Sequence, residues 1–86
     1  MPSVISTLIE DLEGLLESHS EYSDAIEDEN IEARRLHDRI GRDLHRLRRT
    51  MKTLARQSPI QAEDVEAAEA SLAEIDDAMA DLAASL

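Results

Sequence analysis

The chain has 86 residues, of which 20 are acidic and 9 are basic, so its formal net charge at pH 7 is −11. It contains no cysteine, which excludes a disulfide framework, a thiol nucleophile and a cysteine-based zinc site. No apolar run approaches the roughly 20 residues that span a bilayer, so we expect no membrane insertion. A chain this short builds only a marginal core, which favours association with a partner subunit.

A first helix is predicted over residues 3–17, with Ser3 as its N-cap. Its apolar stripe is wider than contact with one helix requires, which favours a helix that faces two neighbours. The stripe consists of Ile5, Leu8, Ile9, Leu12, Leu15 and Leu16. The segment from Ser18 to Glu21 predicts a break, because serine and histidine are poor helix formers and the two end residues suit a capping box. One continuous helix over 3–57 is the alternative, since the spacing of three and four continues through His19, Tyr22 and Ile26.

The second predicted helix covers residues 21–57, and its apolar residues follow helical spacing. They are Ile26, Ala33, Leu36, Ile40, Leu44, Leu47, Met51 and Leu54. Gly41 lies inside this helix and weakens it by about 1 kcal/mol relative to alanine. The helix is predicted to end near Gln57, because Pro59 disfavours helical geometry at Ser58.

The third helix is predicted over residues 59–85. Ser58 suits the N-cap, Pro59 suits the first helical position, and Gln61 completes a capping box. The apolar residues that follow are separated by alternating steps of three and four, which is a heptad seam. The seam consists of Val65, Ala68, Leu72, Ile75, Met79, Leu82 and Leu86.

These elements predict an all-α fold in a single domain over residues 1–86. The second and third helices form an antiparallel helical hairpin or coiled coil, and the N-terminal helix packs beside them as in a three-helix bundle. We expect an oligomer, most simply a dimer, in which the seam residues form core or interface. The seam residues with the clearest signal are Leu8, Leu12, Leu15, Ile40, Leu44, Leu47, Met51, Leu72, Ile75, Met79 and Leu82.

Charge divides the chain into three segments. All nine basic residues lie between positions 34 and 56, whereas 1–33 and 57–86 contain ten and eight acidic residues and no basic one. One interpretation is that the basic helix is neutralised by ion pairs to its acidic neighbours, and we favour it because charged helix faces are normally solvated or paired. The other is an exposed surface for nucleic acid or an acidic partner. Its candidate basic face is Arg35, Arg39, Arg42, Arg46 and Arg49.

The acidity has a second explanation that is unrelated to binding. Eight of the nine basic residues are arginine and alanine is abundant, a composition typical of salt-loving or GC-rich organisms. In that case part of the net charge is an adaptation to salt.

No motif predicts catalysis, so we expect a protein that is not an enzyme and holds no metal or cofactor. None of the three histidines follows the Glu-x-x-His pattern of di-iron bundles, and the two glycines are too far apart for a phosphate-binding loop. Carboxylate pairs such as Asp76-Asp77 are expected to be solvated on helix surfaces. His19 is interpreted as a helix-boundary residue with one satisfied hydrogen bond, with a pH-sensing interface residue as the alternative.

The leading functional hypothesis is a non-catalytic helical protein–protein interaction module: a small adaptor, scaffold or chaperone-like subunit that acts through its seams and charge complementarity. Its shape is similar to that of small co-chaperones that escort secretion-needle subunits, although no motif is shared. One alternative is a small acidic inhibitor or nucleic-acid mimic, such as a phage anti-defence protein or an antitoxin. Another is nucleic-acid binding through the basic segment 34–56. We expect a cytoplasmic location, because the N-terminal residues lack the basic region of a secretory signal.

Overall fold

Three helices make up the regular structure of the described residues. The structure, a computed structural model, describes residues 4–57 and 59–86, and these residues contain three α-helices and no strand. The helices are α1 (Val4–Ala25), α2 (Ile31–Arg56) and α3 (Ala62–Ala84), and each contacts the other two. Successive helices run antiparallel, so α1 and α3 are parallel neighbours. The predicted all-α, bundle-like fold is confirmed.

A single aliphatic core runs along the axis of the bundle, and all three helices contribute to it. From α1 it receives Ile5, Leu8 and Leu12, while Leu15 and Leu16 pack half-buried against its edge. The apolar stripe of α1 is therefore wide because this helix packs on two neighbours, as predicted. From the other helices the core receives Ala33, Ile40, Leu44, Leu47, Met51, Leu54, Ala68, Leu72, Ile75, Met79 and Leu82. Within the described ranges, no helix is both long enough and apolar enough to cross a membrane.

The connection between α1 and α2 lies at residues 26–30, so the predicted break at residues 18–21 is wrong. Helix α1 continues through this segment because His19 packs against α2, and such tertiary contact overrides weak helix propensity. The capping residue is instead Asn30, whose side-chain oxygen accepts a hydrogen bond from the backbone N–H of Ala33 at 3.2 Å.

The helix bounds change accordingly. The predicted helices over 3–17 and 21–57 become Val4–Ala25 and Ile31–Arg56, and the alternative of one helix over 3–57 is also wrong. The side-chain amide of Asn30 additionally donates to the backbone carbonyl of Ser85 at 3.0 Å, which ties the start of α2 to the end of α3.

Helix α3 begins at Ala62, so its predicted start at residue 59 is wrong. Gln61 is the N-cap, and its carbonyl accepts hydrogen bonds from the backbone N–H groups of Asp64 at 3.1 Å and Val65 at 3.3 Å. Pro59 lies in the connection between the helices. A longer connection is needed because the axes of two packed helices lie about 8–10 Å apart.

The remaining predicted termini fall into two groups. The predicted ends of the second and third helices, at residues 57 and 85, agree within one residue with Arg56 and Ala84. The predicted N-caps Ser3 and Ser58 lie outside the described residues.

Candidate interaction surfaces

The predicted seam is closed within one chain. Of its eleven residues, Leu15 alone is half-buried, and the other ten are buried. The ten buried residues are Leu8, Leu12, Ile40, Leu44, Leu47, Met51, Leu72, Ile75, Met79 and Leu82. Because these side chains already pack against one another, the seam itself leaves little apolar surface for a partner.

A row of five arginines, the basic ridge, follows the outer side of α2. Steps of four and three place these residues on one helix face over about 21 Å. All five are exposed: Arg35, Arg39, Arg42, Arg46 and Arg49. The ridge points away from the core because the apolar stripe of α2 is turned toward α1 and α3, and Arg39 and Arg46 also line the groove between α2 and α3.

The predicted neutralisation of the basic helix by its neighbours is not observed. Within residues 4–57 and 59–86, the one ion pair with an N–O distance of 4.0 Å or less joins Arg34 to Asp28, and both side chains are more than half exposed. No ion pair of this kind connects α2 to α1 or α3 in the described part of the chain. The interhelical ion pairs of the favoured interpretation are therefore not found among the described residues, where α2 meets its neighbours with apolar side chains and shares only a groove lined by Arg39, Arg46 and Glu74 with α3.

Acidic residues dominate the other side of the bundle. Helix α1 contains six and helix α3 contains eight, and neither contains a basic residue. Because both helices pack on α2, the groove between them lies on the side remote from the basic ridge. The bundle therefore has one basic side and one acidic side.

The groove between α1 and α3, the acidic groove, has an apolar floor and acidic rims and encloses about 710 Å³. Its floor is formed by Leu8, Gly14, Leu15, Leu72 and Ala73, and its rims by Glu10, Asp11, Glu69 and Asp76. The groove between α2 and α3 encloses about 240 Å³ and is lined by both signs of charge, Arg39 and Arg46 with Asp43 and Glu74.

A pair of stacked histidines joins α1 to α2. The Nε2 atom of His19 donates to the backbone carbonyl of His37 at 2.7 Å, and the Nε2 atom of His37 donates to the backbone carbonyl of His19 at 2.9 Å. The ring centroids are 3.7 Å apart and the ring planes differ by 13°. The predicted boundary position of His19 is therefore wrong, since it lies inside α1, whereas the satisfied hydrogen bond predicted for it is present and joins this helix to α2.

The environment of this pair disfavours a charged His19. Burial lowers the pKa of His19 from its ordinary value of 6.5, and the charges of His37 and His45 act in the same direction. The hydrogen bond to the backbone of His37 and the carboxylate of Asp38 oppose this effect. The folded chain consequently favours the neutral imidazole.

The two glycines occupy contrasting positions. A methyl group at Gly41 would approach Cε1 of His19 at 3.0 Å and Nε2 at 3.2 Å, so glycine gives the ring room against α2. A methyl group at Gly14 would meet no atom within 4 Å, so packing inside the chain does not require glycine at this position.

The histidine pair and the acidic groove were not predicted from the sequence. Both depend on how helices are placed beside one another, which the spacing along one helix does not reveal. Gly41 inside a helix was the one sequence feature that indicated a close approach of another helix to α2. In the described part of the chain, no group of three or more histidine or carboxylate side chains is arranged to hold a metal ion.

Comparison of the chain with protein-family models, with curated proteins and with solved structures found no match.

Proposed function

We propose that this chain is a non-catalytic protein–protein interaction module that binds its partners through its charged sides. The observation that carries the proposal is the separation of charge across a bundle whose apolar seam is closed. An adaptor of this kind recognises partners by electrostatic complementarity, which speeds encounter and rejects partners of the wrong charge.

The exposure of the basic ridge supports this proposal. Five arginines that neither pack in the core nor pair with an acidic helix stabilise the folded chain little. Guanidinium groups form bidentate hydrogen bonds with carboxylates, so a row of them suits an acidic protein surface.

Self-association remains a prediction, and light scattering on a sizing column at low and at molar salt tests it. A stable dimer at both salt concentrations indicates a scaffold whose partner is a second copy of the chain. A monomer indicates that the partner is a different protein.

The proposal is tested by capture of partners from native extract with the full chain. The variant R42Q/R46Q/R49Q removes three charges from the basic ridge, and R48Q/K52Q/R56Q removes three charges from the same helix outside it. We expect proteins enriched by the wild type to be lost with the first variant and retained with the second. If both variants capture the same proteins as the wild type, and removal of acidic residues also changes nothing, the charged sides are not the binding surfaces.

Nucleic-acid binding through the basic ridge is the second candidate, and the exposed, unpaired arginines favour it. The bundle is 48 × 20 × 17 Å, so the acidic side lies farther from the ridge than the Debye length of about 8 Å at physiological salt. The carboxylates of the acidic groove therefore repel a duplex at the ridge only weakly, whereas Glu74 lies in the groove that Arg39 and Arg46 line. No aromatic side chain lies among the arginines, so contact with the phosphate backbone is expected rather than base stacking.

Duplex DNA binding measured by fluorescence anisotropy across a salt series tests this candidate. A binder loses affinity linearly in log [salt], and each phosphate contact that is removed lowers the slope by about 1. We expect R42Q/R46Q/R49Q to reduce both affinity and slope if the candidate is correct. Equal weak binding by the wild type and this variant contradicts it.

A further inference from the structure

The acidic groove is a surface that the folded chain leaves open. Its floor contains the half-buried Leu15 and the edges of the buried core residues Leu8 and Leu72, while acidic residues form both rims. The floor extends over α1 residues 8–18, which corresponds to about 15 Å of helix. An apolar strip of this length, bounded by one sign of charge, matches about three turns of another helix.

Gly14 points to an occupant from outside the chain. Glycine inside a helix costs about 1 kcal/mol relative to alanine, and at this position no atom of the chain occupies the space that a side chain would fill. With Ala73 on the opposite helix, Gly14 leaves the groove unfilled by side chains. Small residues on both sides permit close approach of a further helix, as at tightly packed helix contacts.

The charges select what occupies the groove. Helices α1 and α3 are parallel and both acidic, so their macrodipoles and side chains repel each other across the groove. A basic segment placed between them relieves this repulsion, whereas the groove between α2 and α3 already contains both signs of charge. The complementary ligand therefore has an apolar stripe flanked on both sides by lysine or arginine.

We propose that the acidic groove binds a basic amphipathic helix of a partner protein, which completes a four-helix arrangement with α1, α2 and α3. This inference rests on the proposed function and assigns the acidic side its ligand. The chain's own basic ridge is a poorer occupant, because its five arginines are interleaved with no exposed leucine or isoleucine that reaches the groove floor.

The test uses the full chain and a synthetic helical peptide of about 15 residues, with leucines at helical spacing flanked by lysines. A peptide of the same composition in scrambled order is the control for non-specific attraction. Binding is measured by fluorescence anisotropy in physiological salt. We expect the amphipathic peptide to bind at least about tenfold more tightly than the scrambled one.

Two pairs of variants locate the binding site. Gly14→Trp fills the groove and is expected to weaken binding about tenfold or more, whereas Gly14→Ala leaves the groove open and binding unchanged. The variant E10Q/E69Q removes one charge from each rim and is expected to weaken binding and its salt dependence. The matched variant E13Q/E74Q removes the same charge away from the groove and is expected to have the smaller effect. Circular dichroism and urea unfolding establish that each variant is folded.

Three results overturn the inference. The first is equal binding by Gly14→Trp and the wild type, and the second is equal binding of the two peptides. The third is self-association that Gly14→Trp abolishes while the peptide does not compete, which identifies a second copy of the chain as the occupant. If captured partners are lost with R42Q/R46Q/R49Q but retained with Gly14→Trp, the proposed function stands and the acidic groove is not its site.

Discussion

Helix α1 contacts its two neighbours in different ways. Toward α2, which is basic, it presents His19, whose ring is stacked and hydrogen-bonded and fits because residue 41 is glycine. Toward α3, which is acidic like α1 itself, it presents Gly14 and an open groove. The contact between α1 and α2 is closely packed and hydrogen-bonded. The contact between α1 and α3 has acidic side chains that repel one another along both rims, and its groove is not filled by side chains.

Because of this difference, one side of α1 is expected to stabilise the fold and the other to bind a partner. Features that fix the position of α1 lie on its α2 side, and features that remain available to a partner lie on its α3 side. Substitutions on the two sides are therefore expected to change the free energy of unfolding by different amounts and, in some cases, in opposite directions.

The largest expected effect comes from truncation of the shared core. Leu12 is 2% exposed, and Leu12→Ala is expected to reduce the free energy of unfolding by about 2–5 kcal/mol through lost burial and a cavity. Leu15 is half-buried at the groove, so Leu15→Ala is expected to cost about 1 kcal/mol. Urea unfolding followed by circular dichroism measures both. Equal losses would show that the groove side of α1 is packed as tightly as the core.

The sequence predicted the core well and the contacts between charged or polar residues poorly. Apolar spacing alone identified ten seam residues that are buried, because burial depends on the period of the helix. The same spacing continued through His19, yet the low helix propensity of residues 18–20 favoured a break there. The pattern was the better guide, since contact with α2 outweighs propensities of a few tenths of a kcal/mol.

The charge pattern was misinterpreted for a related reason. Complementary charges on neighbouring segments predicted ion pairs, but the orientation of each helix is set by its apolar stripe. Since that stripe turns the basic ridge away from the core, the ridge and the acidic groove lie on opposite sides of the bundle, and no ion pair within 4.0 Å joins α2 to α1 or α3 in the described residues. The sequence alone also did not predict the interface between α1 and α3. These two helices lie parallel and side by side only because both pack on α2.

Acid is expected to weaken the contact between α1 and α2. Burial lowers the pKa of His19 in the folded chain, so the unfolded chain binds a proton at higher pH than the folded chain does. The neutral imidazole thus contributes stability that is complete above pH 6.5 and is lost as pH falls through the lowered pKa. Urea unfolding between about pH 7.5 and 5.5 measures this loss while carboxylates stay ionised.

His19→Gln provides the control for the effect of acid. Glutamine retains an N–H donor for the backbone carbonyl of His37 but does not titrate, so the variant is expected to show a smaller loss of stability over the same pH range. The groups around residue 19, namely His37, His45, Asp38 and Arg42, are unchanged in this variant. An identical pH profile for the variant and the wild type would exclude His19 as the source.

The two glycines are expected to respond differently to the same substitution. Gly14→Ala is expected to stabilise the chain by about 1 kcal/mol, because the new methyl group meets no atom and helix propensity improves. Gly41→Ala is expected to give no such gain, since the methyl group displaces the ring of His19 and disturbs its hydrogen bond. Thermal and urea unfolding of the two variants make the comparison.

A double substitution isolates the cause at Gly41. In a His19→Ala background the ring is absent, so Gly41→Ala is expected to recover the gain of about 1 kcal/mol that propensity predicts. If the gain is equally small in both backgrounds, the ring of His19 is not what requires glycine at residue 41.

The smallest expected effects concern single charges on the two sides of α3. Glu69 lines the acidic groove among like charges, so Glu69→Gln is expected to stabilise the chain by about 0.2–0.5 kcal/mol. Glu74 lines the other groove beside Arg39 and Arg46, so Glu74→Gln is expected to destabilise it by a similar amount. Both differences should fade at molar salt, where the Debye length falls to about 3 Å. If the two substitutions change the free energy of unfolding in opposite directions at low salt and by similar amounts at high salt, α3 is repelled by α1 and attracted by α2. If both changes have the same sign at low salt, the two contacts do not differ electrostatically in this way.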